Sequence, residues 1–195
     1  MLLFSCYDTL EVKYMKLMIA SDLHGAAPDV SALLQAFDLS GADKLVLLGD
    51  LLYHGPRNDL PDGYAPKKVI ELLSACKNRL LCVRGNCEAE VDQMVLPFPV
   101  MAEYAVLHVC SRTIYATHGH NYGPDRLPPL QMGDALLSGH THVPTAHEKN
   151  GLFFLNPGSV SIPKNNTPKS YAMLENGVFT VYELMAHTPY LSITM

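Results

Sequence analysis

The sequence has no basic run, and no apolar stretch reaches the roughly 18 residues that a membrane span needs. Its 14 Lys and Arg stand against 19 Asp and Glu, for a net charge of −5. That balance gives no support to an extended surface tracking nucleic-acid phosphates. The five cysteines (Cys6, Cys76, Cys82, Cys87 and Cys110) are odd in number and scattered. They suggest neither a disulfide framework nor a Cys-x-x-Cys zinc site, and a reducing cytoplasm is the expected compartment. Internal repeats, low-complexity tracts and domain linkers are also lacking, so the 195 residues read as one domain.

Residues 1–14 lack the basic start of a signal peptide and are interrupted by Asp8 and Glu11. They read as an N-terminal extension, because Met15 leads straight into a strand-like run. Residues 15–185 are then the single domain. Residues 186–195 form a C-terminal tail too short to assign, which could dock on the body or on a neighbouring copy. A homo-oligomer is left open.

What is present is a core and a repeated polar punctuation. Hydrophobic residues make up 48% of the chain, enough for a sizeable interior. The stretch Leu45-Val46-Leu47-Leu48-Gly49-Asp50 reads as a strand buried on both faces, ending in a turn that brings a carboxylate to the lip of a sheet. Ligand crevices in open α/β sheets lie at such strand ends. Residues 16–21 form an earlier strand, ending at Asp22-Leu23-His24-Gly25. The helix between them has Pro28 near its start, Val30, Leu33, Leu34 and Phe37 on one face, and Gly41 at its end. This βαβ unit predicts two parallel neighbours.

A second helix carries Val69, Leu72, Leu73 and Cys76. Residues 79–83 form a strand ending at Arg84-Gly85-Asn86-Cys87-Glu88. Two β-rich segments flank Cys110-Ser111-Arg112. Residues 112–117 run into His118-Gly119-His120, residues 134–137 into Ser138-Gly139-His140-Thr141-His142, and residues 153–155 into Asn156-Pro157-Gly158-Ser159. Asn176-Gly177 marks a hairpin between residues 171–174 and 178–182.

Five strand ends therefore carry Asp, His or Asn: Asp22/His24, Asp50, Asn86, His118 and His140/His142. Each alone has an ordinary explanation. Asp22 can cap a helix, and Gly-Asp and Gly-Asn are common turn pairs. Five such ends in order along the chain are another matter. The seven side chains exceed the needs of one ion, but suit two ions sharing a bridging carboxylate. Imidazole with carboxylate suits zinc, manganese or iron. His54 and His120 are expected beside the ligands. His108 is expected to be structural within a strand, and His147 and His187 to face solvent.

The series Asp22-Leu23-His24, Gly49-Asp50, Gly85-Asn86-Cys87-Glu88, His118 and Gly139-His140-Thr141-His142 resembles the calcineurin-like metallophosphoesterases over about residues 15–183. The size of the chain and the segment His54-Gly55-Pro56-Arg57-Asn58 look like the small bacterial phosphodiesterases of that family. The resemblance implies an α/β fold, a four-layer αββα sandwich of two mixed β-sheets flanked by helices. It implies one ion on Asp22, His24 and His142, a second on Asn86, His118 and His140, and Asp50 as the bridge. Manganese is the expected metal, with zinc, iron or nickel as alternatives. It also brings Asp50, Asn86 and position 87 into the catalytic machinery. Position 87 departs from the pattern, because the family has histidine there. A thiol is a weak donor and cannot mimic an imidazolium.

The implied activity is hydrolysis of a small or aryl phosphodiester by a metal-bridging hydroxide. Arg57 and Asn58 are candidates to hold the substrate phosphate or its ester group. The loops 54–66 and 121–129 are expected to border the pocket. A phosphomonoesterase with the same centre is the alternative. A silent scaffold, as in a retromer trafficking subunit of this fold, is disfavoured because no ligand position is missing.

Overall fold

The computed structural model describes residues 15–195; the expected extension over residues 1–14 lies outside them. The first strand, β1 (Leu17–Ala20), is followed by helix α1 (Ala27–Ser40) and β2 (Lys44–Leu47). Both strands are parallel neighbours, as the βαβ reading requires. Helix α1 has Pro28 in its first turn and ends at Gly41, whose φ of 68° is left-handed. Helix α2 (Pro66–Ala75) and β3 (Leu80–Cys82) repeat the unit, with β3 parallel to β2. A short helix, α3 (Glu90–Val95), follows.

The second half is nearly all strand: β4 (Tyr104–Val109), β5 (Arg112–Thr117), β6 (Ala135–Leu137), β7 (Thr145–Lys149), β8 (Leu152–Asn156), β9 (Ser170–Glu175), β10 (Val178–Glu183) and β11 (Pro189–Thr194). Asn176 and Gly177 close the β9–β10 hairpin, both at positive φ (51° and 77°). Two hairpins of the same kind join β4 to β5 at Cys110-Ser111 and β7 to β8 at Asn150-Gly151. The C-terminal stretch expected to be a tail instead forms β11, which pairs with β10 at the edge of its sheet.

Two mixed sheets result. One has six strands in the order β11-β10-β9-β1-β2-β3, the other five in the order β4-β5-β6-β8-β7. Each contains a parallel trio, β1-β2-β3 at one end of the first and β5-β6-β8 in the middle of the second. Alternation along the strands explains the layers. Leu17, Ile19, Val46 and Leu48 point between the sheets and meet Ile114, Ala116, Leu137 and Leu155. Met18, Ala20, Leu45 and Leu47 point the other way and meet Val30, Leu33, Phe37, Val69 and Leu73 of α1 and α2. The expected sandwich is thus present in its two mixed sheets, and its helical cover from α1 and α2 lies on the six-stranded one. No helix among the described residues is long and apolar enough to cross a membrane.

Candidate metal centre

Both parallel trios end at the same edge of the sandwich. Asp22 and His24 follow β1, Asp50 follows β2 and Asn86 follows β3. From the facing sheet, His118 follows β5, while His140 and His142 follow β6. All seven expected ligands converge there. Asp22, His24, Asp50, His118 and His142 are buried, His140 is half-buried, and Asn86 lies at the exposed mouth.

The backbone turns sharply to achieve this. Asp22, His24, Asp50, His140 and His142 all have positive φ, between 45° and 64°. Non-glycine residues rarely adopt this conformation, which costs about 1–3 kcal/mol each, and it clusters at functional sites. Hydrogen bonds hold it in place. Asp22 N–H donates to Gly49 O at 3.1 Å and His24 N–H to Asp50 O at 2.9 Å. Gly49 is itself left-handed (φ 95°), and a side chain there would strike the backbone of Gly85. A side chain at Gly85 would in turn strike the Asp50 carboxylate.

Three imidazoles are locked in one tautomer. His24 Nδ1 meets Tyr53 O at 2.7 Å, His118 Nδ1 meets Leu48 O at 2.7 Å, and His142 Nδ1 meets Ile162 O. A carbonyl only accepts, so each Nδ1 carries a proton, which leaves Nε2 as the atom turned inward and available to a metal ion. These Nε2 atoms lie close to acceptors. His24 Nε2 is 3.3 Å from His142 Nε2, and His142 Nε2 is 3.2 Å from Asp22 Oδ1. His118 Nε2 lies 3.1 Å from Asn86 Oδ1, 3.2 Å from His140 Nδ1 and 3.5 Å from Asp50 Oδ2. Asp22 Oδ1 is buried with no hydrogen-bond donor.

A knot of buried acceptors without donors is costly on its own and is relieved by a cation. Donor atoms of Asp22/His24/His142, of Asp22/Asp50/His118 and of His24/Asp50/Cys87 each lie within 4.8 Å of one another, close enough to share an ion. The donor set of carboxylate oxygen and imidazole nitrogen fits a divalent transition metal.

The electrostatics agree. Burial alone would raise the Asp22 carboxyl, but His142, His24 and His118 hold it well below the usual carboxylate range. Burial alone would lower His24, yet Asp22 and the Tyr53 carbonyl raise it, so this spot draws positive charge. His140 is lowered by burial and by His118, which favours its neutral, ligating form. His120 is lowered by the same two causes, and its ring sits 5.4 Å from that of His118.

Cys87 is half-buried beside the cluster. Its backbone N–H donates to Asp50 Oδ1 at 2.9 Å. Burial, then the Asp50 and Glu88 carboxylates, push its thiol far up, so it stays protonated. A polar cavity of about 250 Å³ opens over the centre, lined by Asp50, Asn58, Asn86, Cys87, His140 and Lys164 among others. The remaining histidines divide. His54 packs between Tyr53 and Tyr64 and holds Asn58 through its carbonyl at 2.8 Å. His108 lies in β4 with its side chain exposed, and His147 and His187 are exposed as expected.

Several supporting groups had no assigned role in the sequence. Buried Glu88 accepts from Leu51 N–H through Oε1 at 2.7 Å, and through Oε2 from Asp50 N–H at 2.9 Å and from Gly85 N–H. Ser159 and Ser161 both donate to Asp22 O, at 2.9 and 2.8 Å. Asn156 donates to Gly139 O at 2.8 Å. The available signal was a sixth polar strand end, Asn156-Pro157-Gly158-Ser159, at the same edge.

Residues 15–177 match the calcineurin-like phosphoesterase superfamily domain. The chain is 51% identical to phosphodiesterase YfcE of Escherichia coli K12 over 170 residues, which cover 87% of this chain and 92% of that protein. The solved structure of that phosphoesterase superposes with a TM-score of 0.90 at 48% identity, over 92% of this chain and 99% of the other. Vacuolar protein sorting 29 from Cryptosporidium parvum superposes with a TM-score of 0.62 at 20% identity, over 94% of this chain and 100% of that one. This last likeness is one of fold.

Proposed function

Since the chain belongs to the calcineurin-like phosphoesterase superfamily and is a metal-dependent phosphodiesterase, we propose that it holds two divalent ions, manganese first among them, and hydrolyses a small or aryl phosphodiester. One observation carries this reading: three imidazoles, locked through Nδ1, aim their Nε2 atoms at two buried carboxylates. In the proposed allocation Asp22, His24 and His142 hold one ion, Asn86, His118 and His140 the other, and Asp50 serves both. Zinc, iron and nickel suit the same donors.

Two ions bound there would supply Lewis acidity for activating water and neutralising the phosphoryl oxygens. The protein's own groups do the rest. The carbonyls of Tyr53, Leu48 and Ile162 keep the rings aimed inward. Glu88 holds the turns bearing Asp50 and Asn86 against each other. Cys87 faces the cavity as a neutral thiol and gives little acid assistance to a departing oxygen. That favours diesters with good leaving groups over alkyl monoesters. The complete ligand set supports an enzyme over a silent scaffold. Free thiols at Cys76, Cys82, Cys87 and Cys110 support a reducing, cytoplasmic setting.

The test compares matched aryl diester and monoester turnover, with manganese and with a chelator, alongside metal analysis. Diester hydrolysis that is lost on chelation and restored by manganese is expected. Turnover that survives chelation, or a preference for the monoester, would reject the reading.

A further inference from the structure

We infer that Arg57 and Lys164 form an anion subsite beside the metal centre, so that the preferred substrates are phosphodiesters carrying a second compact oxyanion, phosphate or carboxylate, on one ester arm. This deepens the phosphodiesterase reading and rests on it.

Both cations line the cavity that opens over Asp50, Asn86 and Cys87. They come from loops far apart in sequence, and each loop is anchored. Asn58 N–H donates to Gly55 O at 3.4 Å, and Asn58 Nδ2 donates to His54 O at 2.8 Å, closing the turn that presents Arg57. Lys164 N–H donates to His142 O at 3.3 Å, while Ile162 O accepts from the His142 ring. The backbone of Lys164 is thus tied to that of a proposed metal ligand.

Neither side chain forms an ion pair among the described residues. The only acid lining this cavity is Asp50, which is already committed to the cluster. Both side chains are exposed at the mouth of the cavity, where no protein carboxylate neutralises them and an incoming anion can reach them. A phosphodiester carries one negative charge, and an occupied metal centre would meet its non-bridging oxygens. Arg57 and Lys164 are then left for another anion. Guanidinium forks pair with phosphate or carboxylate through two parallel hydrogen bonds, and lysine adds a point charge.

The surroundings limit the arm in kind and length. Beyond Arg57 and Asn58 the cleft continues into a second trough of about 420 Å³ containing Asp59 and Asp62, while its lysine, Lys169, is paired with Asp29 at 2.7 Å. The charge there turns negative, so the anion belongs near Arg57 and Lys164. No Phe, Tyr or Trp lines either hollow, which leaves no ring for stacking a nucleobase.

The experiment uses the full manganese-loaded chain and three p-nitrophenyl diesters whose second arm is ethyl, 2-carboxyethyl or 2-phosphoethyl. In each, water oxygen bonds to phosphorus, the bond from phosphorus to the nitrophenyl oxygen breaks, and nitrophenolate and a proton leave. The leaving group is constant, so only the arm differs. For the native enzyme, kcat/KM on an anionic arm should exceed that on ethyl by about tenfold, within the reach of charge-assisted hydrogen bonds. The excess should shrink as salt is added. In the double variant Arg57→Gln/Lys164→Gln the ratio should fall to about one. Lys164→Glu should shift preference towards a 2-aminoethyl arm. A native ratio of one or less, or a ratio that survives in the double variant, overturns the subsite while leaving the phosphodiesterase reading intact. No manganese-dependent hydrolysis of any of the three diesters would reject that reading itself, and the subsite with it.

Discussion

The two sheets deliver different chemistry to one edge. The six-stranded sheet brings the oxygen donors Asp22, Asp50 and Asn86, with His24 as its one imidazole. The five-stranded sheet brings nitrogen alone, from His118, His140 and His142. They are also braced differently. On the first, the bracing is concentrated in buried Glu88, which takes three backbone N–H groups across the turns after β2 and β3, with one further bond from Cys87 N–H to Asp50 Oδ1. On the second, the bracing is spread and crosses the seam. His118 reaches Leu48 O, His140 N–H reaches Asp22 Oδ2 at 3.1 Å, and Ser159 and Ser161 reach Asp22 O. Each sheet alone offers an incomplete donor set, so ion binding reports on the packing of the two sheets.

The change expected to matter most is Asp50→Asn, because in the proposed allocation Asp50 would serve both ions. Weaker, supporting changes at metal sites cost about 10–100-fold, so at least about 100-fold in diester turnover is expected here. Elemental analysis should show loss of metal, and the stabilisation that bound metal gives to melting should shrink with it. Near-native turnover with two ions still bound would rule out the shared role.

Glu88→Gln tests concentrated against distributed bracing. The amide nitrogen cannot accept, so at least one of the three buried N–H groups loses its partner, at about 1–3 kcal/mol. A drop of about 10–100-fold in manganese affinity is expected, measured by titration. Ser161→Ala should cost less, because Ser159 donates to the same carbonyl. Equal losses in the two variants would erase the contrast.

Cys87→His adds an imidazole at the seam while keeping all seven proposed ligands, and it replaces the thiol that accepts from Asn86 Nδ2 at 3.3 Å. General acid assistance is worth about 10²–10⁴-fold when well placed. A gain of about tenfold in alkyl monoester turnover relative to aryl diester turnover is expected, with both proteins fully loaded with metal. An unchanged ratio would assign diester preference to pocket shape. Last comes removal of residues 1–14, which carry none of the seven ligands. Melting temperature and turnover should both stay at native values, and a clear fall in either would show that the segment contributes to the body.

Local pattern was enough for much of this. The buried run before Asp50, the helical spacing of Val30, Leu33 and Phe37, the Asn176-Gly177 turn and the polar residues at strand ends all follow from periodicity and turn chemistry, which are short-range properties. Three elements escaped for stated reasons. Helix α3 is short, and its Val91, Met94 and Val95 face solvent, so no buried face marks it. The β7–β8 hairpin carried its Asn150-Gly151 signal beside a strand with exposed charges. β11 is an edge strand with little burial.

At the centre, the sequence by itself determined the donor types and their order, since strand ends and turn residues are written locally. Tertiary structure alone decided which carbonyl locks each imidazole, that Glu88 braces two turns, that β9 lies beside β1, and that Arg57 and Lys164 share one cavity. Those facts depend on which strands pair and how two sheets pack. The contacts involved link residues tens of positions apart, and no periodicity within one segment records them.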